Sequence, residues 1–252
     1  MSVSIKSKRE IEIMREAGRI LGTVMRDLSK EIKPGMTTHR VDQIGEEMIR
    51  SYGCIPSCLG YEGYPAAFCV SVNEEVVHAI PSKKRILQEG DIVSLDACLE
   101  YKGYQSDCAR TVGVGEISAD AKRLIEVTRQ SFFEGIKYAK EGCHLYEISN
   151  AIAAYNESNG YGVIRDLVGH GIGAEMHEDP EIPNFTQTRR GIKLYEGMTL
   201  AIEPMVAAGN YAVDWLEDGW TAVTADRSLA AHYENTVLVT KNGPEILTLV
   251  ED

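Results

Sequence analysis

The sequence predicts an α/β fold of the α+β kind, in which helices and strands form two similar halves of one domain. The chain has 252 residues, of which 44% are hydrophobic, and this is enough to build a sizeable packed core. The spacing of the apolar residues changes along the chain in the order helices, strands, helices, strands. An offset of 107 residues also places several glycines and acidic residues of the first half on the same residue types in the second half, which indicates an internal repeat.

The first half begins with two predicted helices. Apolar side chains recur every three or four residues over residues 8–32, which is typical of an amphipathic helix, and the Pro34-Gly35 pair ends it. A second helix is predicted over residues 41–49. From about residue 65 to residue 114 the pattern alternates, and alternation is typical of strands with one buried face.

The second half repeats this order. Helical spacing returns over residues 119–140 and again over residues 145–158. From about residue 163 to the end, short alternating runs predict a second group of strands.

The repeat bears on the position of a functional site. The offset pairs Asp96 with Glu203, so two acidic residues occupy the same place in two similar strands. No linker rich in Pro, Gly and Ser separates the halves, which span approximately residues 8–114 and 115–240. We therefore expect a single domain over residues 1–252, with a site between its halves.

Charge and cysteine content exclude several classes of protein. Lys and Arg number 26 against 38 Asp and Glu, and the net charge of −12 repels the phosphates of nucleic acids and the headgroups of anionic lipids. No apolar run is long enough for a membrane span or a signal peptide, and six cysteines without such a signal are typical of reduced thiols. We expect a cytoplasmic protein with no membrane partner, no sequence-specific nucleic-acid partner and no structural zinc.

Two aspartates flank a predicted hairpin. With a two-residue turn at Lys102-Gly103, residue 96 pairs with residue 109, and Asp107 becomes the diagonal neighbour of Asp96 on the same face, roughly 7 Å away or less. The apolar side chains that alternate with Asp96 are expected on the opposite face. Two like charges on one face either stay solvated or hold a cation, and this pair alone leaves both interpretations open.

Further acidic and histidine side chains lie where a structural role is less common. His170 lies in the glycine-rich segment 169–173, and His177 follows it. We interpret the glycines as leaving room for a close approach of backbone and ligand. Glu203 and Glu234 each lie in an otherwise apolar strand, where a charge without a partner would destabilise the fold.

Taken together, the candidates are four carboxylates and one imidazole. They are Asp96, Asp107, His170, Glu203 and Glu234. Four negative charges balance two divalent cations, and oxygen-rich ligation with one nitrogen suits Mn²⁺, Fe²⁺, Co²⁺ or Zn²⁺. Two such ions with a water between them form a hydrolytic site, because they lower the pKa of the water and stabilise a tetrahedral oxyanion.

Six segments match the motifs of a known enzyme family in order and in spacing. They are Asn73–His78, Gly90–Asp96, Ser106-Asp107, Gly169–Gly173, Ile202–Pro204 and Tyr233–Asn235. On these segments the chain resembles the type I methionine aminopeptidases over essentially its whole length. The resemblance implies the pita-bread fold, in which two pseudosymmetric halves surround a curved antiparallel sheet covered by helices. It also implies removal of the initiator methionine from nascent polypeptides whose second residue is small.

The resemblance gives each candidate ligand a role. Asp96 is implied to chelate one ion, and Asp107 and Glu234 to bridge two ions. His170 and Glu203 are implied to hold the other ion, and Glu203 also matches the acid/base carboxylate of the family. The implied cofactor is two divalent ions per chain, either Co, Mn, Fe or Zn.

Substrate-binding residues are implied in the same way. His78 and His177 match two histidines that contact the substrate backbone without binding metal, and His177 is the better match for stabilising the developing oxyanion. The implied methionine pocket has sulfur and aromatic walls, which suit a polarisable thioether. Its lining residues are Cys58, Tyr61, Tyr64, Cys69 and Trp220.

Three other functions would require features that this sequence lacks. A pita-bread protein that has lost its metals can act as a binding module, but all five ligands are present here. A two-metal phosphoesterase would need cations beside the metals, whereas the cationic residues close to the matched segments, Lys102 and Arg110, look exposed. Proline-specific aminopeptidases share the ligands but carry an N-terminal domain, for which the 95 residues before Asp96 leave no room.

Expected partners follow from the resemblance. An enzyme that acts on nascent N-termini meets the ribosome near the exit tunnel, and many bacterial members dock through a basic loop. The corresponding loop here, Gly209–Gly219, is acidic. Docking is therefore expected through another surface, such as Lys83–Arg85 or Arg189-Arg190. The chain has no obvious coiled-coil seam, and we expect a monomer.

Overall fold

The structure is a computed structural model that describes residues 3–250, so the first two and last two residues of the predicted domain lie outside it. Within this range the chain forms helices α1 (Lys8–Glu31), α2 (Thr38–Ser51), α3 (Ala119–Ile136) and α4 (Leu145–Ser158). The strands are β1 (Ile55–Pro56), β2 (Cys69–Val72), β3 (Glu75–Val77), β4 (Ile92–Tyr101), β5 (Tyr104–Gly113), β6 (Gly162–Val163), β7 (Gly169–Gly171), β8 (Glu178–Ile182), β9 (Thr199–Ile202), β10 (Met205–Ala207), β11 (Val213–Trp215), β12 (Ala222–Thr224), β13 (Ala230–Val239) and β14 (Pro244–Ile246). None of these helices is both long enough and apolar enough to cross a membrane.

Polar side chains determine where the helices begin. Ser7 precedes α1 and accepts a hydrogen bond from the backbone N–H of Glu10 at 3.4 Å, while the Glu10 carboxylate accepts one from the N–H of Ser7 at 2.6 Å. This reciprocal pair is a capping box. Thr37 caps α2 and Ser118 caps α3, since the side-chain oxygen of each accepts a hydrogen bond from a backbone N–H in the first turn. These caps satisfy N–H groups that have no partner inside the helix.

The predicted helix over residues 119–140 is wrong at its C-terminal end. α3 ends at Ile136, Ala139 is buried in the core, and Lys140 pairs with Thr240 at the edge of the sheet. Tertiary contacts of this last segment therefore override its helical spacing.

Most strands join a single antiparallel sheet. Eleven strands belong to it, and its main path runs β1-β4-β5-β13-β9-β7-β8. β2 pairs with β4, β10 and β14 pair with β13, and β6 pairs with β10. A smaller sheet contains β11, β12 and β3. β13, which comes late in the sequence, thus lies at the centre of the sheet between strands of both halves.

The two faces of the central strands separate the core from the site. Val93 and Leu95 of β4 pack in a hydrophobic cluster with α1 and α2, as the alternation predicts. Tyr233 and Val237 of β13 pack in a second cluster that contains residues of α3 and α4. The side chains that alternate with them, including Asp96, therefore point to the opposite face of the sheet.

Turns of the same conformation occupy equivalent places in the two halves. Glycines related by the 107-residue offset follow α1 and α3, follow α2 and α4, and precede β4 and β9. All of them have a positive φ: Gly35 and Gly142 (86° and 95°), Gly53 and Gly160 (72° and 86°), and Gly90 and Gly197 (93° and 90°).

A substitution in α1 tests how closely this helix packs. A Cβ atom at Gly18 would lie 2.4 Å from the carbonyl oxygen of Leu247, which is backbone and cannot turn aside. We expect Gly18→Ala to lower the free energy of unfolding by about 1–3 kcal/mol, although alanine favours a helix over glycine by about 1 kcal/mol. Urea denaturation measures the change. A variant more stable than the unmodified protein would contradict the close contact, because helix propensity alone would then determine the sign.

Candidate metal centre

Neighbouring strands bring three acidic residues together on the face of the sheet that Asp96 shares. Asp96 in β4 pairs with Ala109 in β5, as the hairpin predicts, and Ala109 pairs with Glu234 in β13. Directly paired residues share a face of the sheet, so the two carboxylates flank the small side chain of Ala109. Glu203 directly follows Ile202, the last residue of β9. Because Ile202 pairs with Asn235, the residue after Glu234, Glu203 lies beside Glu234.

Asp107 and His170 lie in the neighbouring row of the sheet, where a row is the set of residues that pair directly across adjacent strands. Asp107 precedes Ala109 by two residues in β5 and therefore shares its face. The Thr236 hydroxyl accepts a hydrogen bond from the backbone N–H of Asp107 at 2.9 Å, which ties β5 to β13 at this row. His170 in β7 pairs with Ala201 in β9, and Ala201 pairs with Thr236. The row therefore runs from Asp107 to His170 across four strands.

Donor atoms converge at the centre of this face. One ligand atom from each of Asp107, His170 and Glu234 lies within 4.8 Å of the other two. Nε2 of His170 is 3.7 Å from Oε1 of Glu203 and 3.9 Å from Oδ2 of Asp107. Donor atoms that share one ion lie about 3–4 Å apart, because each metal–ligand bond is about 2.1 Å long.

The imidazole of His170 is oriented for ligation. Its Nδ1 lies 2.9 Å from the carbonyl oxygen of Gly171 and must carry a proton to donate to it. This hydrogen bond leaves the lone pair of Nε2 directed at the carboxylates. Metal-binding histidines commonly donate the proton of their other ring nitrogen in this way, which fixes both the tautomer and the ring orientation.

The four carboxylates repel each other in a buried setting. Burial, and then the charge of Asp107, raise the pKa of Asp96 to about 8. Burial, and then the charge of Glu203, raise the pKa of Asp107 to about 8. Burial also holds the pKa of Glu203 and of Glu234 well above the ordinary carboxyl value. Divalent cations among these groups would offset both the burial and the repulsion, so the donor set fits such ions.

All the site residues selected from the sequence line one cavity of about 330 Å³. They are Cys58, Tyr61, Tyr64, Cys69, His78, Asp96, Asp107, His170, His177, Glu203, Trp220 and Glu234. Two acids that were not selected, Glu62 and Asp166, also line it. Over residues 3–250, no Lys or Arg side chain lines this cavity. Its lining therefore favours cations over anions.

Neutral histidines stand beside the carboxylates. Burial lowers the pKa of His78 to about 4, and burial also lowers the pKa of His177. The Tyr61 hydroxyl lies 2.7 Å from Nδ1 of His177, and the ring centroids of His177 and His170 are 4.3 Å apart. His78 has a φ of 59°, which is uncommon outside glycine and concentrated at functional sites.

One end of the cavity has aromatic and sulfur walls. The rings of Tyr64 and Trp220 meet edge to face, with centroids 5.1 Å apart. The Tyr64 hydroxyl donates to the carbonyl oxygen of Ala79 at 2.9 Å, so its polar group is satisfied away from the cavity. Burial raises the pKa of the Cys58 and Cys69 thiols, which are therefore neutral. All six cysteines are free, as predicted.

The reason inferred for the glycines beside His170 was wrong. A Cβ atom at Gly169 would lie 2.4 Å from the carbonyl oxygen of Ala201, and one at Gly171 would lie 2.2 Å from that of Asp179. The glycines therefore let β7 lie close between β8 and β9. They set the position of His170 through strand packing, and neither of them lines the cavity.

Arg110 is not exposed, contrary to the expectation from sequence. Its guanidinium donates to the carbonyl oxygen of Glu234 and, at 2.7 Å, to Oδ1 of Asn235. It also stacks on the Tyr233 ring, 4.3 Å from the centroid. Arg110 thus binds the backbone of β13 and does not line the cavity, so the carboxylates keep no cationic neighbour there.

His232 is a site neighbour that the sequence analysis missed. It lies in β13 two residues before Glu234, is 1% exposed, and its Nε2 is 3.6 Å from Oε2 of Glu203. Burial lowers the pKa of this imidazole, and the Arg110 guanidinium contributes to the lowering, so it is neutral. Period-two spacing from Glu234 on a predicted strand is the signal that could have found it.

Metal removal tests the cluster. In the metal-free protein, carboxyl pKa values raised to about 8 favour the protonated, folded state, so this contribution is full below about pH 4 and is lost as the pH rises to about 8. Metal binding instead needs deprotonated carboxylates. We expect Mn²⁺ at about 100 times its dissociation constant at pH 8 to raise the Tm by about 5–10 °C, and the same concentration to raise it far less at pH 5.

Calorimetry of chelator-treated protein, with and without Mn²⁺, measures both shifts. The control is Asp214→Asn, which changes an exposed acid outside the cavity and is expected to leave both shifts unchanged. No shift at pH 8, or equal shifts at the two pH values, would contradict the cluster.

Comparisons with known proteins agree with this geometry. The model of metallopeptidase family M24 matches residues 12–241. A methionine aminopeptidase from Clostridium acetobutylicum is 56% identical over 249 residues, which cover 99% of this chain and 100% of that protein. The crystal structure of a methionine aminopeptidase from Thermotoga maritima has a TM-score of 0.96 and 47% identity, and the match covers 99% of this chain and 100% of that one.

A more distant match has the same fold in a longer chain. The prolidase from Pyrococcus furiosus has a TM-score of 0.78 and 26% identity, and the match covers 98% of this chain but 66% of that one. These matches confirm the α+β class and the pita-bread fold expected from the resemblance. The chain belongs to metallopeptidase family M24.

Proposed function

We propose that this protein is a metal-dependent aminopeptidase that removes the initiator methionine from nascent polypeptides whose second residue is small. One observation carries this proposal: the same cavity contains both a buried cluster that fits metal ions and a pocket with sulfur and aromatic walls. Relatives named methionine aminopeptidase that match over the full length of the chain support it. Two divalent ions per chain, either Co, Mn, Fe or Zn, would activate a water and polarise the scissile carbonyl.

Strand order supports the roles of the ligands. The five side chains lie in the spatial order Asp96 (β4), Asp107 (β5), Glu234 (β13), Glu203 (after β9) and His170 (β7). This order supports the proposal that the two central carboxylates, Asp107 and Glu234, would be shared by two ions. Asp96 at one side would hold the first ion, and Glu203 and His170 at the other side would hold the second.

Glu203 acts as the acid/base group in this proposal. Its carboxyl pKa is raised by burial, which makes it a better proton acceptor than an exposed glutamate. Glu203 accepts the proton released by the attacking water and then donates it to the amide nitrogen that leaves. The products are free methionine and a polypeptide that is one residue shorter.

His177 stabilises the developing oxyanion. The Tyr61 hydroxyl lies 2.7 Å from Nδ1 of His177 and serves as the donor in this proposal. The proton of the neutral ring is then on Nε2, where it can be donated to the substrate carbonyl oxygen. His78, also neutral, contacts the substrate backbone from the other histidine position of the cavity. Neither ring adds charge to the cluster.

The methionine side chain occupies the sulfur and aromatic end of the cavity. A flexible, polarisable thioether packs well against thiols and aromatic edges. The proposed lining is Cys58, Tyr61, Tyr64, Cys69 and Trp220. The other lining acids, Glu62 and Asp166, favour entry of the cationic amino terminus of the substrate.

Domain organisation and partners belong to the same proposal. Residues 1–252 form one catalytic domain with halves of approximately 8–114 and 115–240, and the equivalent turns of the two halves support this. The protein acts as a cytoplasmic monomer on nascent N-termini near the ribosomal exit tunnel. With a net charge of −12, it docks there through a local basic surface such as Lys83–Arg85 or Arg189-Arg190.

Peptide hydrolysis tests the activity directly. Chelator-stripped protein receives Mn²⁺, Co²⁺, Fe²⁺ or Zn²⁺ separately, and release of free methionine is measured with Met-Ala-Ser and with Met-Leu-Ser. We expect release from the first peptide only, and a loss of at least about 100-fold in Glu203→Gln, because amide oxygens cannot carry the proton. The control Glu157→Gln changes an exposed glutamate of α4. No release with any ion would instead favour a binding module without catalytic activity.

A paired substitution tests the oxyanion role. We expect His177→Ala to lower kcat by about 100-fold with little change in KM, because the donor is needed mainly in the transition state. Tyr61→Phe removes only the hydrogen bond that fixes the tautomer, and we expect a loss of about tenfold or less. Steady-state kinetics with Met-Ala-Ser measures both. A rise in KM with an unchanged kcat for His177→Ala would instead assign this side chain to ground-state binding.

A further inference from the structure

His232 is a buried imidazole without a hydrogen-bond partner. It is 1% exposed, and neither of its ring nitrogens has a partner among the residues that the structure describes. Buried polar groups nearly always find a partner, so an exception beside a functional cavity calls for an explanation. The mechanism above does not use this side chain.

The backbone of His232 is fixed from a neighbouring strand. The Thr111 hydroxyl donates to the carbonyl oxygen of His232 at 2.9 Å and accepts from its N–H at 2.8 Å. Ser94 contacts the same hydroxyl at 2.8 Å and, since the Thr111 proton is already donated, acts as the donor. These contacts hold the strand segment in place, so the ring has little freedom to turn away from the site.

Two imidazoles face the two oxygens of Glu203. Nε2 of His170 is 3.7 Å from Oε1, and Nε2 of His232 is 3.6 Å from Oε2. Nε2 of His170 is an acceptor, because its Nδ1 proton is donated to Gly171, so a metal cation or a proton between it and Oε1 makes the contact favourable. Nε2 of His232 has no such restriction and can carry the proton of its neutral ring.

We propose that His232 is a positioning residue, whose Nε2–H donates to Oε2 of Glu203 and thereby keeps Oε1 directed at the ion that His170 binds. The inference rests on the proposed function, since it concerns the ligand role of Glu203. The 3.6 Å separation reaches hydrogen-bond length when the two groups approach by less than about 1 Å. Each carboxylate oxygen has two lone pairs, so Oε2 keeps one for proton transfer.

Two variants separate this role from mere filling of space. His232→Gln keeps an N–H donor, whereas His232→Leu keeps similar volume and removes the donor. His39→Leu, at a partly exposed position on α2, is the matched control. Isothermal titration of chelator-stripped protein with Co²⁺ gives the affinity, and visible absorption of the Co²⁺ form reports its ligand set.

We expect His232→Leu to weaken Co²⁺ binding about 10–100-fold and to lower kcat for Met-Ala-Ser more than it changes KM. His232→Gln should recover the affinity to within about threefold of the unmodified protein, and all forms should keep the same absorption bands. His39→Leu should match the unmodified protein in every measurement.

Two results would overturn the inference. Unchanged Co²⁺ affinity in His232→Leu would show that the donor is not needed. Absorption bands that shift in both His232 variants would make His232 a ligand of the ion and not a positioning residue. Failure of the proposed function is a different result, since the unmodified protein would then bind Co²⁺ and release no methionine.

Discussion

Repulsion among four carboxylates on one face of the sheet is the constraint on which this structure depends. Asp96, Asp107, Glu203 and Glu234 lie in adjoining rows, largely removed from water, and no cationic side chain of the described chain lines their cavity. Such a cluster costs free energy in the folded protein. It persists because hydrophobic packing on the opposite face holds the strands in register, and because bound cations would neutralise it.

The helices determine the geometry of the site, although none of α1–α4 contributes a residue to the lining of the cavity. α1 and α2 cover one part of the sheet and α3 and α4 the other, so each central strand has an apolar face packed against helices. Register then sets where the polar side chains meet. Ala109 and Ala201 lie in the same two rows, where they pair directly with Asp96 and His170. The pairing of the strands thus sets the spacing of the donor atoms.

Local rules predicted much of this arrangement from the sequence. A two-residue turn was sufficient to pair residue 96 with residue 109, and alternation was sufficient to separate the apolar face of β4 from Asp96. Features that depend on tertiary contacts were misjudged. The glycines around His170 serve the approach of three strands, and Arg110 binds the backbone of a strand more than a hundred residues away. His232 was missed because only the folded chain shows that it reaches Glu203.

The central position of β13 has a consequence for the synthesis of the protein itself. This strand begins at Ala230, close to the C-terminal end of the described chain, yet it pairs with β5 of the first half and β9 of the second. Until it is inserted, the sheet is split in two and Glu234 is missing from the site. A growing copy of this chain therefore cannot assemble its ion site until β13 has left the ribosome and paired with strands of both halves.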